Sequence, residues 1–444
     1  MMKKILFFLC VISYILQAQV SQNINLLYNW QDSTLVGSAA FNNIYNEVWG
    51  VVINNREYAI IGSTAGTHIF DVSDPINSYE AAFIAGEVAG AQIIHRDYHD
   101  YNGYLYIVAD EGQQSKLKIV DLSSLPSSVS VVYNSSEFFN TAHNIFIDTA
   151  TAKLYACGSD YISTLIFSLA DPTNPTLLMD YTDLGYAHDV YVQNDTAYLN
   201  AGSAGLYIVD FSDMNSPQII GSLTQYPYKG YNHSGWLSED GNSYFFADEN
   251  HGYLMKSVDV SDFSNITVVD TFNSAANTQS MAHNLIVKDN YLYVSHYHDG
   301  LQIFDISNPS NVIQVAYYKT YQPNDYLSYR GAWGVYPLLP SGNILVSDMQ
   351  YGLFVLQAQS LNIQSQNDND LYVYPNPFTN HINLNTDKNG VKKVKVYNFS
   401  GELVINKVFV DQKIDLNTSS LEKGIYFLQL HENSIIKTEK IINF

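Results

Sequence analysis

Five histidines recur at nearly even intervals along the chain. His95, His143, His188, His233 and His283 are separated by 48, 45, 45 and 50 residues. Each opens a short run such as His143-Asn144-Ile145-Phe146 or His188-Asp189-Val190-Tyr191. Carboxylates follow further along the same units, among them Asp110, Asp160, Asp248, Glu249, Asp299 and Asp348. Neutral imidazole is the commonest transition-metal ligand, and Asp160, Asp248 and Asp299 would complete a site for a divalent metal ion. Such an ion would activate water and polarise a carbonyl, as in a metal-dependent hydrolase. The competing reading makes the histidines part of the repeat, each bonding a neighbouring unit, because a catalytic site usually breaks the symmetry of its scaffold. No nucleophile elbow or phosphate-binding loop accompanies them, so no residue is assigned a catalytic role.

The elements that position these side chains follow from the same spacing. Trp49 precedes His95 by 46 residues and Trp333 follows His283 by 50, which gives seven units. Within a unit the first run leads to a second, such as Tyr104–Val108, then to a third, such as Leu206–Asp210, and to a fourth, such as Gln218–Leu223. Four short strands per unit with a period in the forties predict an all-β fold, a seven-bladed β-propeller. The seventh unit offers three strands only. Leu26–Val36, ahead of the first unit, is expected to supply the fourth and close the ring, removing exposed sheet edges. First strands would then line the channel, with the histidines and the carboxylate loops gathered at one mouth.

The third strand ends in Asp71, Asp121, Asp210, Asp259 or Asp305 before a Ser-rich turn, where a carboxylate fixes the turn by accepting backbone N–H groups. Most of the 36 tyrosines alternate along strands and should fill blade interfaces. Tyr226, Tyr228, Tyr231, Tyr321 and Tyr326 lie instead in loops approaching the same mouth, where they would stack on a glycan or on a partner protein, or else pack over the rim.

Charge separates two modules. The 444 residues carry 43 acidic and 21 basic side chains, net −22. Residues 19–370 hold 36 acidic and 10 basic side chains, net −26, whereas 371–444 are net +2. An acid excess of this size excludes nucleic-acid partners, and 14% aromatic content excludes a disordered acidic chain. Lys3 and Lys4, the apolar run Ile5–Leu16 and Ala18 read as a signal peptide over 1–18, and the run is too short to span a bilayer. The expected organisation is a leader 1–18, a propeller 19–357, a linker 358–370 and a small β-sandwich 371–444. The mature chain is expected to be a soluble monomer, not an integral membrane protein. Its sole thiol, Cys157, occupies a strand position and should be a buried small apolar residue.

The recurring Leu-x-Ile-Val-Asp pattern, as in Leu206–Asp210, resembles the LVIVD repeat, and 24–357 resembles the choice-of-anchor B family of bacterial extracellular proteins. In the C-terminal module Tyr374-Pro375-Asn376-Pro377, Val396-Tyr397-Asn398 with Gly401, Gly424-Ile425-Tyr426 and Lys440-Ile441-Ile442 stand in order. This set resembles the type A C-terminal sorting domain of type IX secretion in Bacteroidetes. By residue pattern alone a generic carbohydrate-binding or fibronectin-like sandwich would also serve. The resemblance implies that Pro375, Asn376, Pro377, Gly401, Gly424 and Lys440 belong to a signal read by the outer-membrane secretion machinery. It further implies surface delivery of the propeller but no activity; the loop aromatics at the mouth lead to the expectation of a binding module for a glycan or a protein. A lactonase-like hydrolase using the histidines is the alternative.

Overall fold

The computed structural model describes residues 21–359 except 111–114, 161–162, 324 and 327. In the C-terminal part it describes 372–374, 378–385, 391–398, 402–411, 413–432 and 435–443. The leader, the linker from residue 360 on, and Pro375, Asn376, Pro377 and Gly401 lie outside the described residues.

The chain divides into two compact units, Met1–Leu361 and Asn362–Phe444. Among the described residues the first holds seven antiparallel sheets of four or five strands. Their inner strands are Tyr45–Ile53, Asp97–Tyr101, Asn144–Asp148, Asp189–Gln193, Asn232–Leu237, Leu285–Lys288 and Ala332–Tyr336. Each touches the next and the last touches the first, so the seven blades close around a channel.

Local chemistry explains the regularity of the blades. Inner and second strands are joined by two-residue turns at Asn54-Asn55, Asn102-Gly103 and Asn194-Asp195, all with positive φ. Asn, Asp and Gly are the residues that tolerate the left-handed region these hairpins need. At the far end of the third strand, Asp71, Asp121, Asp210, Asp259 and Asp305 accept the backbone N–H two residues on, at 2.8–3.1 Å. These carboxylates fix turns, as their context predicts. Tyrosines lie between blades: Tyr198 stacks on Tyr244 at 4.8 Å, and Tyr106 Oη donates to the Pro172 carbonyl at 2.7 Å. Cys157 is fully buried, and burial pushes its thiol pKa up, away from nucleophilic use.

The N-terminal strand does complete blade seven, but as Ile24–Trp30 paired with Gly352–Ala358, six residues shorter at its C-terminal end than expected. It stops because Asp32 turns the chain, accepting from the Thr34 N–H at 2.8 Å and its hydroxyl at 2.7 Å. Ser21–Gln22 add a fifth strand to blade six, against Tyr317 and Tyr318. Trp30 meanwhile packs on Tyr45, His68 and Phe70 of blade one. One ten-residue segment therefore ties three blades together.

The second unit is a sandwich of a three-stranded and a four-stranded sheet. Phe378, Ile382, Val394, Leu416, Leu428 and Ile441 form its core with neighbouring apolar side chains. Gly424 opens a strand of this unit, and Lys440 lies in the last strand, Ile435–Asn443, opposite Phe427.

Candidate functional site: a layered channel with two mouths

Three layers of side chains line the channel: strand alternation sets the lower two, two residues apart, while the upper residue directly precedes the middle one in blades three to seven. The upper one holds the five expected histidines. Ring centroids run His95–His143 4.4 Å, His143–His188 4.2 Å, His188–His233 4.0 Å and His233–His283 4.4 Å. Trp333 closes the circle, 4.5 Å from His283 and 5.7 Å from His95. Trp49 does not share this position. Trp49 stands two residues after Glu47 on its inner strand, in the place that His99 and Trp236 take in their blades, and so lines the opposite mouth.

Backbone and carboxylate acceptors orient the imidazoles. His143 Nδ1 meets Asp110 Oδ2 at 2.5 Å, His188 Nδ1 the His233 carbonyl at 3.2 Å, and His283 Nδ1 the Trp333 carbonyl at 2.5 Å. A carbonyl only accepts, so Nδ1 carries the proton in His188 and His283 and Nε2 keeps its lone pair. Nδ1 of His95 and of His233 has no partner among the described residues. Burial, reinforced by neighbouring imidazoles, holds His95, His188 and His233 well below the usual histidine range and His283 at about 3. His143 differs: burial lowers it, but the hydrogen bond and charge of Asp110 outweigh that and its pKa is raised.

Two His–carboxylate groups bring their ligand atoms within 4.8 Å at this mouth: His95–Asp110–His143 and His233–Glu249–His283. Above them Phe41, Ile94, Tyr297 and Tyr329 help line a cavity of about 240 Å³. The three carboxylates singled out in the sequence are not part of this ring. Asp160 is exposed and accepts the Asn140 N–H. Asp248 is ion-paired with buried Lys256 at 2.5 Å and accepts from Tyr226 at 2.9 Å. Asp299 accepts from Tyr326 at 2.6 Å and from Ser280. Asp110 and Glu249 stand beside the imidazoles instead.

Beneath the histidines lies a layer that the sequence analysis did not single out. Glu47, Asp97, Asn144, Asp189, Ser234 and Asn284 surround a void of about 60 Å³. The seventh position is Gly334, where a Cβ would stand 1.9 Å from Glu47 Oε1, so Glu47 fills the place a side chain would take. Burial pushes Asp97 up to about 7 and Asp189 up to about 8, the latter helped by the charge of Asp97. Glu47 is raised well above the carboxylate range for the same two reasons.

Two residues further on, the same alternation builds the lower mouth. Trp49, His99, Phe146, Tyr191, Trp236 and Tyr336 line a cavity of about 420 Å³, with Asp100, Asp148, Gln193 and Asn194 around them. Their rings touch, tilted or edge to face, at 4.5–5.2 Å from Tyr336 through Trp49, His99, Phe146 and Tyr191 to Trp236. Trp49 Nε1 donates to Asp100 Oδ1 at 2.8 Å, which fixes the indole in the wall. The one signal that could have found it is a polar residue two places before an aromatic one, repeated in successive units but with a different residue type in each.

The loop tyrosines are mostly engaged within the fold. Tyr226 packs on Phe246, Tyr231 lies edge-on to His188, Tyr321 is buried against His298, and Tyr326 stacks on His298. Tyr228 alone of the five is widely exposed, at 67%.

Residues 372–443 match the family described as secretion system C-terminal sorting domain, and 184–225 and 280–320 match the LVIVD repeat. Among curated proteins, a β-agarase D of Zobellia galactanivorans is 40% identical over 67 residues, covering 15% of this chain and 13% of its own length. An ulvan lyase of Nonlabens ulvanivorans is 26% identical over 91 residues, covering 20% and 17%. This chain spans less than a fifth of either. Among solved structures, RRP9 WD40 repeats align with a TM-score of 0.54 at 8% identity, over 76% of this chain and 97% of that one. A protein from Lactobacillus plantarum aligns at 0.50 and 14% identity, over 79% and 95%. At these identities the likeness shows the fold alone. No helix among the described residues is long and apolar enough to cross a membrane. The chain is thus a β-propeller carrying LVIVD repeats and followed by a type IX sorting domain, which directs it to the cell surface or the medium.

Proposed function

We propose that this protein is an exported glycan-binding propeller whose ligand enters the lower mouth of the channel. The observation that carries the reading is the aromatic wall of Trp49, Phe146, Tyr191, Trp236 and Tyr336 beside Asp100, Asp148, Gln193 and Asn194. Aromatic faces stack on the apolar faces of sugar rings, while side-chain carboxylates and amides satisfy the hydroxyls, the usual division of labour in a concave site. A body with 36 acidic and 10 basic side chains disfavours sulfated or uronate chains, so the ligand class is a neutral oligosaccharide. A glycan array probed with the purified protein should return neutral oligosaccharides. Trp236→Ala should weaken the hits at least tenfold, about 1.4 kcal/mol. Hits confined to acidic glycans, or unaffected by Trp236→Ala, would refute the reading.

A metal-dependent hydrolase is the second reading, favoured by the pairing of imidazoles with Asp110 and Glu249 at the opposite mouth. It requires hydrolysis of an ester or lactone that stops on chelation.

A further inference from the structure

We propose that the upper mouth binds one divalent transition-metal ion of the zinc kind through His233, Glu249 and His283. The inference is independent of the glycan reading, because it concerns the other end of the channel. His233 is 3% exposed, and its Nδ1 has no hydrogen-bond partner among the described residues. Its Nε2 stands 3.6 Å from Glu249 Oε2, too far for a hydrogen bond and close enough for both to reach one cation. Glu249 is held from behind, its Oε1 accepting from Tyr297 Oη at 2.6 Å. His283 is held likewise by the Trp333 carbonyl at 2.5 Å, which leaves Nε2 with the lone pair. Outer partners of this kind fix tautomer and ring orientation in metal-ligating histidines.

The three ligand atoms lie within 4.8 Å of one another. Ligands about 2.1 Å from a tetrahedral zinc stand about 3.4 Å apart, so closure needs a shift of about 1 Å or less per side chain. Two imidazoles and one carboxylate suit zinc, cobalt or nickel, whereas calcium demands six or more oxygens. The mirror group His95–Asp110–His143 is the poorer candidate. There the carboxylate is already spent on His143 Nδ1 at 2.5 Å. Three protein ligands would leave a fourth position facing the 240 Å³ cavity.

The test uses the full mature chain without a histidine tag, stripped with chelator and titrated calorimetrically with zinc alone. One zinc per chain is expected, and cobalt in its place should give the intense visible bands of a tetrahedral site. Glu249→Gln and His283→Ala should each lower affinity at least tenfold, while Asp110→Asn should leave it unchanged. Thermal melts of each variant separate lost ligands from lost folding. No zinc uptake by the unsubstituted chain would overturn the proposal. So would uptake indifferent to Glu249→Gln in a folded variant, or abolished by Asp110→Asn. Glycan binding at the lower mouth should survive chelation, so the two readings fail separately.

Discussion

What surrounds each side chain, rather than its type, separates the residues of the channel. Burial lowers all three, but the Asp110 carboxylate outweighs it at His143, whose pKa is raised, whereas the carbonyls that His188 and His283 face do not, and theirs are lowered. Below them Asp97 and Asp189, pushed up to about 7 and about 8 by burial, each accept a backbone N–H at 2.7 Å. In an unfolded chain both would titrate near 3.9, so from about pH 4 upward the folded state keeps protons that the unfolded state has released. The stability contributed by each group is therefore complete below about pH 4 and lost as pH rises through 7 and 8. The limiting slope for one proton is about 1.4 kcal/mol per pH unit. Urea melts of metal-free protein should show stability falling between pH 5 and pH 8, and Asp97→Asn should flatten that fall. An unchanged slope in Asp97→Asn and in Asp189→Asn would mean that these carboxylates are ionised and hydrated in the folded protein.

Strands and turns carry the next level of specification. The N-terminal segment pairs with blades six and seven and wedges Trp30 into blade one. Deleting residues 21–30 should thus lower the melting temperature by roughly 10 °C or more, whereas an equal deletion within the linker should leave it in place. Gly334→Ala should be destabilising as well, since its Cβ would displace Glu47 from the middle layer. Blades were legible because a repeat is written locally: period-two alternation, Asn-rich hairpins and Asp-capped turns each recur within one unit. The histidine ring was legible for the same reason. The lower mouth was not, because Trp49, His99, Phe146, Tyr191, Trp236 and Tyr336 share a place in space but no single residue type. The exposure of loop tyrosines was also hidden. Tyr226 becomes an internal side chain only because Asp248 and Lys256, distant in the loop sequence, form a buried pair beside it.

At the scale of the whole molecule, the acidic propeller and the near-neutral sorting unit answer to different tasks. The last strand, Ile435–Asn443, pairs along its length with Gly424–Glu432, and the Phe378 N–H donates to the Ile442 carbonyl at 2.7 Å. Removing residues 437–444 should strip this sheet of its edge strand and leave the propeller folded but retained inside the cell envelope. Normal surface delivery of that truncation, followed by fractionation and immunoblotting, would contradict the role of the terminal strand. The two mouths differ in their lining: imidazoles with Asp110 and Glu249 at one, an aromatic wall at the other. Tryptophan fluorescence tests that difference most directly, because Trp49 and Trp236 stand at the aromatic mouth and Trp333 at the histidine one. Titration with a neutral oligosaccharide from the array should change the emission of the native chain and of Trp333→Phe alike, and the change should be lost in Trp236→Phe and reduced in Trp49→Phe. A response that survives both lower-mouth substitutions, or disappears with Trp333→Phe alone, would contradict glycan binding at the lower mouth.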